Sequence, residues 1–226
     1  MTSDFQQATI ETRTEMASAV QQLGHALVSH QIDEPLAAEI AATAQSLTVR
    51  VNEAPRRHRS EEMRPPTPEE MAQLIEAAAL REERVDEGQS LDLFNESFVS
   101  GRANPMAIGA RMSREGDTAV AEVVLGPMFE GAPGRGHGGA VAAIVDELMG
   151  AVLTIVREVA YTANLNIDYV AGAPVGKPLK FTARLRDRAD RKLWIEARGE
   201  TDSGVFVRAE GLFLTVDAAT FSKPLT

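Results

Sequence analysis

Apolar and small residues recur at helical spacing through the first quarter of the chain. Phe5, Thr9, Thr12, Met16, Ala19, Leu23, Ala26 and His30 are separated alternately by four and three, one stripe on a long helix. Leu36, Ile40, Ala44, Leu47 and Val51 form a second stripe, with Asp33 as its N-cap and Pro35 in its first turn. The pattern predicts a helical hairpin turning near Gln31–Asp33. Its stripes are thin and alanine-rich, so it needs another surface to pack on. Residues 54–66 read as a linker with a basic knot at Arg56, Arg57 and Arg59, more suited to solvent than to a bound phosphate. A third helix starts at the capping box Thr67-Pro-Glu-Glu70 and carries Met71, Leu74, Ile75 and Ala78 inward.

The period changes to two beyond residue 105. Short strands are predicted at about 106–114 and 118–126, across the turn Glu115-Gly116-Asp117. From Tyr161 to Tyr169, alternation places Tyr161, Ala163, Leu165, Ile167 and Tyr169 on one face. Thr162, Asn164, Asn166 and Asp168 fall on the other. Two further strands carry Leu179, Phe181, Ala183, Leu185 and Leu193, Ile195, Ala197 inward, and a last one runs from about Val205 to Val216. Charge sets an expected register. A three-residue loop at 189–191 puts Arg184 opposite Glu196, Lys180 opposite Glu200 and Arg186 beside Trp194. The next hairpin then brings Glu200 near Arg208 and Arg198 near Glu210.

Between the strand groups, residues 138–156 are apolar nearly all round. The stretch is short for a membrane span, and Asp146 and Glu147 sit at its middle, where lipid is hostile to charge. A helix enclosed by a curved sheet fits better. The fold class is α+β: two strands, a buried helix, then four strands, behind a helical extension at 1–90. The second part covers 95–217.

Composition sharpens this division. The 226 residues carry a formal net charge of −10 and no cysteine. Residues 1–95 hold 8 Lys/Arg against 17 Asp/Glu, and residues 96–226 hold 15 against 16, so the acidity belongs to the helical part. An acidic chain is a poor nucleic-acid binder, but its near-neutral second part can accept an anionic ligand. Without cysteine there is no disulfide, thiolate nucleophile or iron–sulfur cluster. His25, His30, His58 and His137 show no metal-ligand spacing, so no metal is expected. The first residues lack a signal peptide's basic and apolar regions, which predicts a cytoplasmic protein.

The candidate chemistry gathers around the apolar helix. A glycine-rich loop, residues 130–139, leads into it. The first-turn N–H groups at Gly138 and Gly139 are open to an incoming oxygen, a site for an oxyanion or a phosphate. No nucleotide-binding glycine motif is present. Asp146, a carboxylate within an apolar helix, must be paired, hydrogen-bonded or functional, unless it reaches solvent through a gap in the sheet.

His137-Gly-Gly-Ala-Val-Ala-Ala-Ile-Val-Asp146, followed by Thr162-Ala-Asn-Leu-Asn-Ile-Asp-Tyr169, resembles the hotdog-fold acyl-CoA thioesterases of the 4-hydroxybenzoyl-CoA thioesterase superfamily. The resemblance is strongest to the phenylacetate-pathway-like and thioesterase-superfamily-member group. It covers about 95–217 and implies hydrolysis of an acyl-CoA, without a cofactor, in a homodimer or dimer of dimers. It implies that the Gly138 N–H polarises the thioester carbonyl and that Asp146 is nucleophile or base. Thr162, usually supplied across a subunit interface, orients water or the carboxylate, and His137 shapes the site. Gly139, Arg135 and Asn164 are the accompanying substrate-binding candidates, with Arg135 near the coenzyme phosphates. The plainer readings are that His137 only caps the helix and Thr162 only sits on a polar strand face. Some members carry Asn or Gln shortly before the histidine, where this chain has Glu130, Gly131 and Arg135. That departure keeps an acyl-CoA-binding protein without hydrolytic activity as the alternative. A hydratase on the same fold would need an Asp/His dyad of different spacing.

Overall fold

The computed structural model describes residues 8–57, 90–91 and 94–216. They fall into two compact units, one of residues 8–28, 90–91 and 94–216, the other of residues 29–57. The second unit contains α2 (Glu34–Asn52), which starts as predicted: the Asp33 carboxylate accepts from Leu36 N–H at 3.0 Å, with Pro35 in the first turn. The helix predicted from Thr67 lies outside the described residues.

The first unit is an antiparallel sheet packed on one helix. Its strands are β1 (Arg111–Glu115), β2 (Thr118–Val124), β5 (Ala160–Tyr169), β6 (Pro178–Ala189), β7 (Lys192–Thr201) and β8 (Gly204–Thr215), in spatial order β1-β2-β6-β7-β8-β5. A ribbon absent from the predicted elements, β3 (Glu130–Ala132) and β4 (Arg135–Gly136), turns at Gly134 and delivers the chain to helix α3 (Gly138–Val156). By length and composition α3 could cross a membrane. Here it buries Val141, Ile144, Val145, Leu148, Met149 and Val152 against Phe181, Leu193, Ile195 and Phe213 of the sheet. This is the hotdog arrangement. At the far end Arg157 turns left-handed (φ 57°) and Glu158 N–H closes on Leu153 O at 2.9 Å.

The register corrects the charge argument. β6 and β7 are joined by a two-residue turn, with Ala189 opposite Lys192, not by a three-residue loop. Arg184 still faces Glu196, and Lys180 still faces Glu200, because one extra residue bulges between Leu185 and Asp187. Asp187, not Arg186, therefore stands opposite Trp194. Across β7 and β8 the expected opposite charges do not pair: Glu196 faces Glu210 and Arg198 faces Arg208. Burial of Ala197, Ala209 and Phe213 on the inner face outweighs exposed charge, worth only a fraction of a kcal/mol per pair. The two glutamates find partners on β6 instead, Glu196 with the directly opposite Arg184 at 2.6 Å and Glu210 with Arg186 from across β7.

Helix α1 (Ile10–Ser29) forms where predicted but shows the sheet's unit a different face. Arg13 pairs with Glu96 at 2.5 Å, and Gln21 donates to Ala107 O. His25 Nδ1 accepts from Met128 N–H at 3.3 Å, its ring edge-on to Phe129. Ala17 is buried, and at Gly24 a Cβ would stand 2.6 Å from Met128 Sδ. Met16, Ala19, Leu23 and Ala26, members of the predicted stripe, are exposed. Small residues permit the close approach and polar side chains complete it, a pattern that apolar periodicity does not register.

Candidate active site

Helix α3 begins in a closed set of hydrogen bonds. His137 is its N-cap, and its Nδ1 accepts from Gly139 N–H at 2.9 Å. The neutral ring therefore carries its proton on Nε2. His137 O accepts from Ala140 N–H at 2.9 Å and Val141 N–H at 3.2 Å. Tyr169, at the end of β5, donates its hydroxyl to Gly138 O at 2.9 Å. One group of the first turn is left: Gly138 N–H has no partner among the described residues. Gly138 and Gly139, paired candidates in the sequence, thus separate, since the Gly139 N–H is already used by the cap.

Gly138 lines a cleft of about 500 Å³. Arg135, His137, Gly138, Tyr169, Ala173 and Phe206 are among its walls. Arg135 is exposed at this cleft and packs along Gly172, where a Cβ would come within 2.8 Å of its Cδ. Glu130 accepts from Gly134 N–H at 2.5 Å and closes the β3–β4 turn.

Asp146 lies half-buried two turns further along α3 and accepts from the Thr162 hydroxyl at 3.0 Å within the same chain. Strict alternation would have put Thr162 on the outer face with Asn164. A bulge decides otherwise. Thr162 pairs with Phe213 and Asn164 with Leu212, so Ala163 is an extra residue and the strand changes phase. Thr162 joins buried Phe213 on the helix side, where it meets Asp146. Asn164 stays on the outer face with Asn166 and Asp168, and the structure does not bring it to the site.

Glu147 carries a role that the sequence did not suggest. It is half-buried and accepts from the Ser97 hydroxyl, from Ser100 N–H at 3.1 Å and from the Ser100 hydroxyl. Ser97 and Ser100 are buried in a loop also held by Asn104, whose amide donates to Glu96 O and Ser97 O, each at 3.2 Å. The loop has no periodicity; its serines and Asn104 are its only signal. Glu147→Ala strands these donors and is expected to lower unfolding free energy by about 2–3 kcal/mol in urea melts, with Glu147→Gln losing less. An alanine variant as stable as wild type would show that the clasp contributes nothing.

The thioesterase superfamily model matches residues 134–206, from the turn before α3 into β8. This stretch resembles a thioesterase-superfamily domain. Mouse (Mus musculus) acyl-coenzyme A thioesterase THEM5 is 33% identical over 91 residues, 39% of this chain and 37% of that protein. Mouse THEM4 is 34% identical over 100 residues, 43% of this chain and 42% of that one. The chain thus matches less than half the length of these curated relatives. The crystal structure of a thioesterase superfamily protein superimposes with a TM-score of 0.68 at 21% identity, covering 92% of this chain and 95% of that one. The likeness of fold therefore extends beyond the matched stretch.

Proposed function

We propose that the chain hydrolyses an acyl-CoA thioester to the free acid and coenzyme A, at a site assembled from two copies. The observation that carries this is the single open N–H at the start of α3, on the same helix as a carboxylate held by a hydroxyl. The thioester oxygen sits on Gly138 N–H, which stabilises the negative charge that develops as the carbonyl is attacked. His137 lines the same cleft, and Arg135 meets the coenzyme phosphates at its edge. Asp146 supplies the attack, directly or by taking a proton from water, and Thr162 fixes the carboxylate by donating to Oδ1.

Distance favours two copies. Gly138 and Asp146 are eight residues apart on one helix, about 12 Å of axial rise. A nucleophile must come within about 3.5 Å of the carbon whose oxygen rests on the N–H, so one chain cannot supply both groups to one thioester. A second copy with its α3 antiparallel and alongside supplies Asp146 and Thr162 to the first copy's Gly138. Strand β5 supports this arrangement, since it ends the sheet and pairs only with β8 among the described residues. Its outer edge offers backbone groups to a second β5.

Thiol release measured over acyl-CoAs of varied chain length tests the reading. Hydrolysis of at least part of the panel is expected. Saturable acyl-CoA binding with no hydrolysis across the panel would contradict it and favour a binding protein.

A further inference from the structure

We infer that Tyr169 is a positioning residue, and that its hydroxyl fixes the direction of the Gly138 N–H. For its catalytic consequence this rests on the thioesterase reading above. The physical problem is set by the sequence. Two successive glycines open α3, and glycine has the widest backbone freedom of any residue. An oxyanion donor, by contrast, is useful only when its direction is settled before charge develops. Something other than the glycines must hold the first turn.

The hydrogen bonds around the turn show what holds it. The peptide unit joining His137 to Gly138 bears the open N–H, and its carbonyl is anchored by Ala140 and Val141 N–H. The next unit, joining Gly138 to Gly139, is gripped at both ends: its N–H by His137 Nδ1 and its carbonyl by the Tyr169 hydroxyl, each at 2.9 Å. The cap and the helix bonds come from within α3 and the residue before it. The His137 N–H donates to Phe129 O at 2.7 Å, and among the described residues Tyr169 alone ties this turn to the six-stranded sheet. It stands opposite Val207 on β8, which is fully buried, so the hydroxyl is delivered from a rigid platform. The ring also lies over Gly138, its Cζ and Oη 3.5 Å from where a Cβ would be. Tyr169 itself is 54% exposed and adds little to the core, so burial does not account for it.

Tyr169→Phe tests this, because it keeps the ring and removes only the hydroxyl. In the full-length protein, kcat for thioester hydrolysis is expected to fall about tenfold with KM nearly unchanged. The same substitution in a Gly138→Pro background, which has no N–H to aim, is expected to have no further effect. Equal losses in both backgrounds, or an unchanged kcat in the single variant, would overturn the inference. Backbone 15N relaxation decides it without any substrate. Order parameters of the Gly138 and Gly139 amides are expected to fall from about 0.85 to about 0.6 in Tyr169→Phe, and unchanged values would overturn the positioning role. If the wild-type protein hydrolyses no acyl-CoA, the thioesterase reading fails while the relaxation result still decides the positioning.

Discussion

Asp146→Asn is expected to lower kcat for acyl-CoA hydrolysis by about a thousandfold while leaving the fold intact. The substitution keeps the shape of the side chain and an oxygen for the Thr162 hydroxyl, 3.0 Å away, to donate to. What it removes is the ability to attack a carbonyl or to accept a proton from water. Thr162→Val, which keeps the carboxylate and loses only the group that orients it, should cost less. Thiol release under saturating substrate, read beside a melting curve, separates the cases. An Asp146→Asn protein that is folded and within tenfold of wild type would remove the carboxylate from the mechanism.

A second large effect is expected at Gly138, where the donor is a backbone atom and side-chain mutagenesis normally cannot reach it. Proline can. Gly138 is the first residue of α3, the one helical position where proline is favoured because its N–H has no partner in the helix. His137 before it has φ −61° and ψ 132°, the extended conformation that a following proline demands. A Cβ at 138 would meet Tyr169 at an ordinary 3.5 Å. Gly138→Pro therefore deletes the N–H at small steric cost, and kcat is expected to fall by about a hundredfold or more. Gly138→Ala is the control: it adds the same Cβ, keeps the N–H and should stay near wild type. Equal losses in the two variants would mean that crowding, not a missing donor, is responsible.

The contrast between these residues shows what the sequence made legible. Asp146 stood out because a carboxylate in an apolar helix needs a reason, and the helix was bounded correctly at 138–156. Thr162 could be singled out only through a resemblance, since period-two reading put it on the wrong face. One extra residue, Ala163, reverses the phase of the strand, and a bulge leaves no mark on hydrophobic alternation. The bulge in β6 had the same effect on the hairpin: Arg184 and Glu196 were matched correctly, but through a longer loop that does not exist. The facing pairs Glu196/Glu210 and Arg198/Arg208 went unforeseen because exposed charges are too weak to set register against a buried face. Tyr169 was assigned to a strand face, and its bond to Gly138 joins positions 31 residues apart, beyond any local pattern. Helix α1 misled in another way, since its contacts use Ala17, Gly24 and polar side chains in place of an apolar stripe.

The central claim is that each site joins Gly138 of one copy to Asp146 of another, and co-expression of two inactive variants tests it most directly. Asp146→Asn and Gly138→Pro chains, produced together and associating at random, form mixed dimers in half of the population. Each mixed dimer has one site with both groups intact and one with neither. Thiol release is therefore expected to recover to about a quarter of the wild-type rate, although each variant alone is nearly inactive. A co-purified mixed dimer with no recovered activity would contradict the account, because it would place both groups of each site on a single chain.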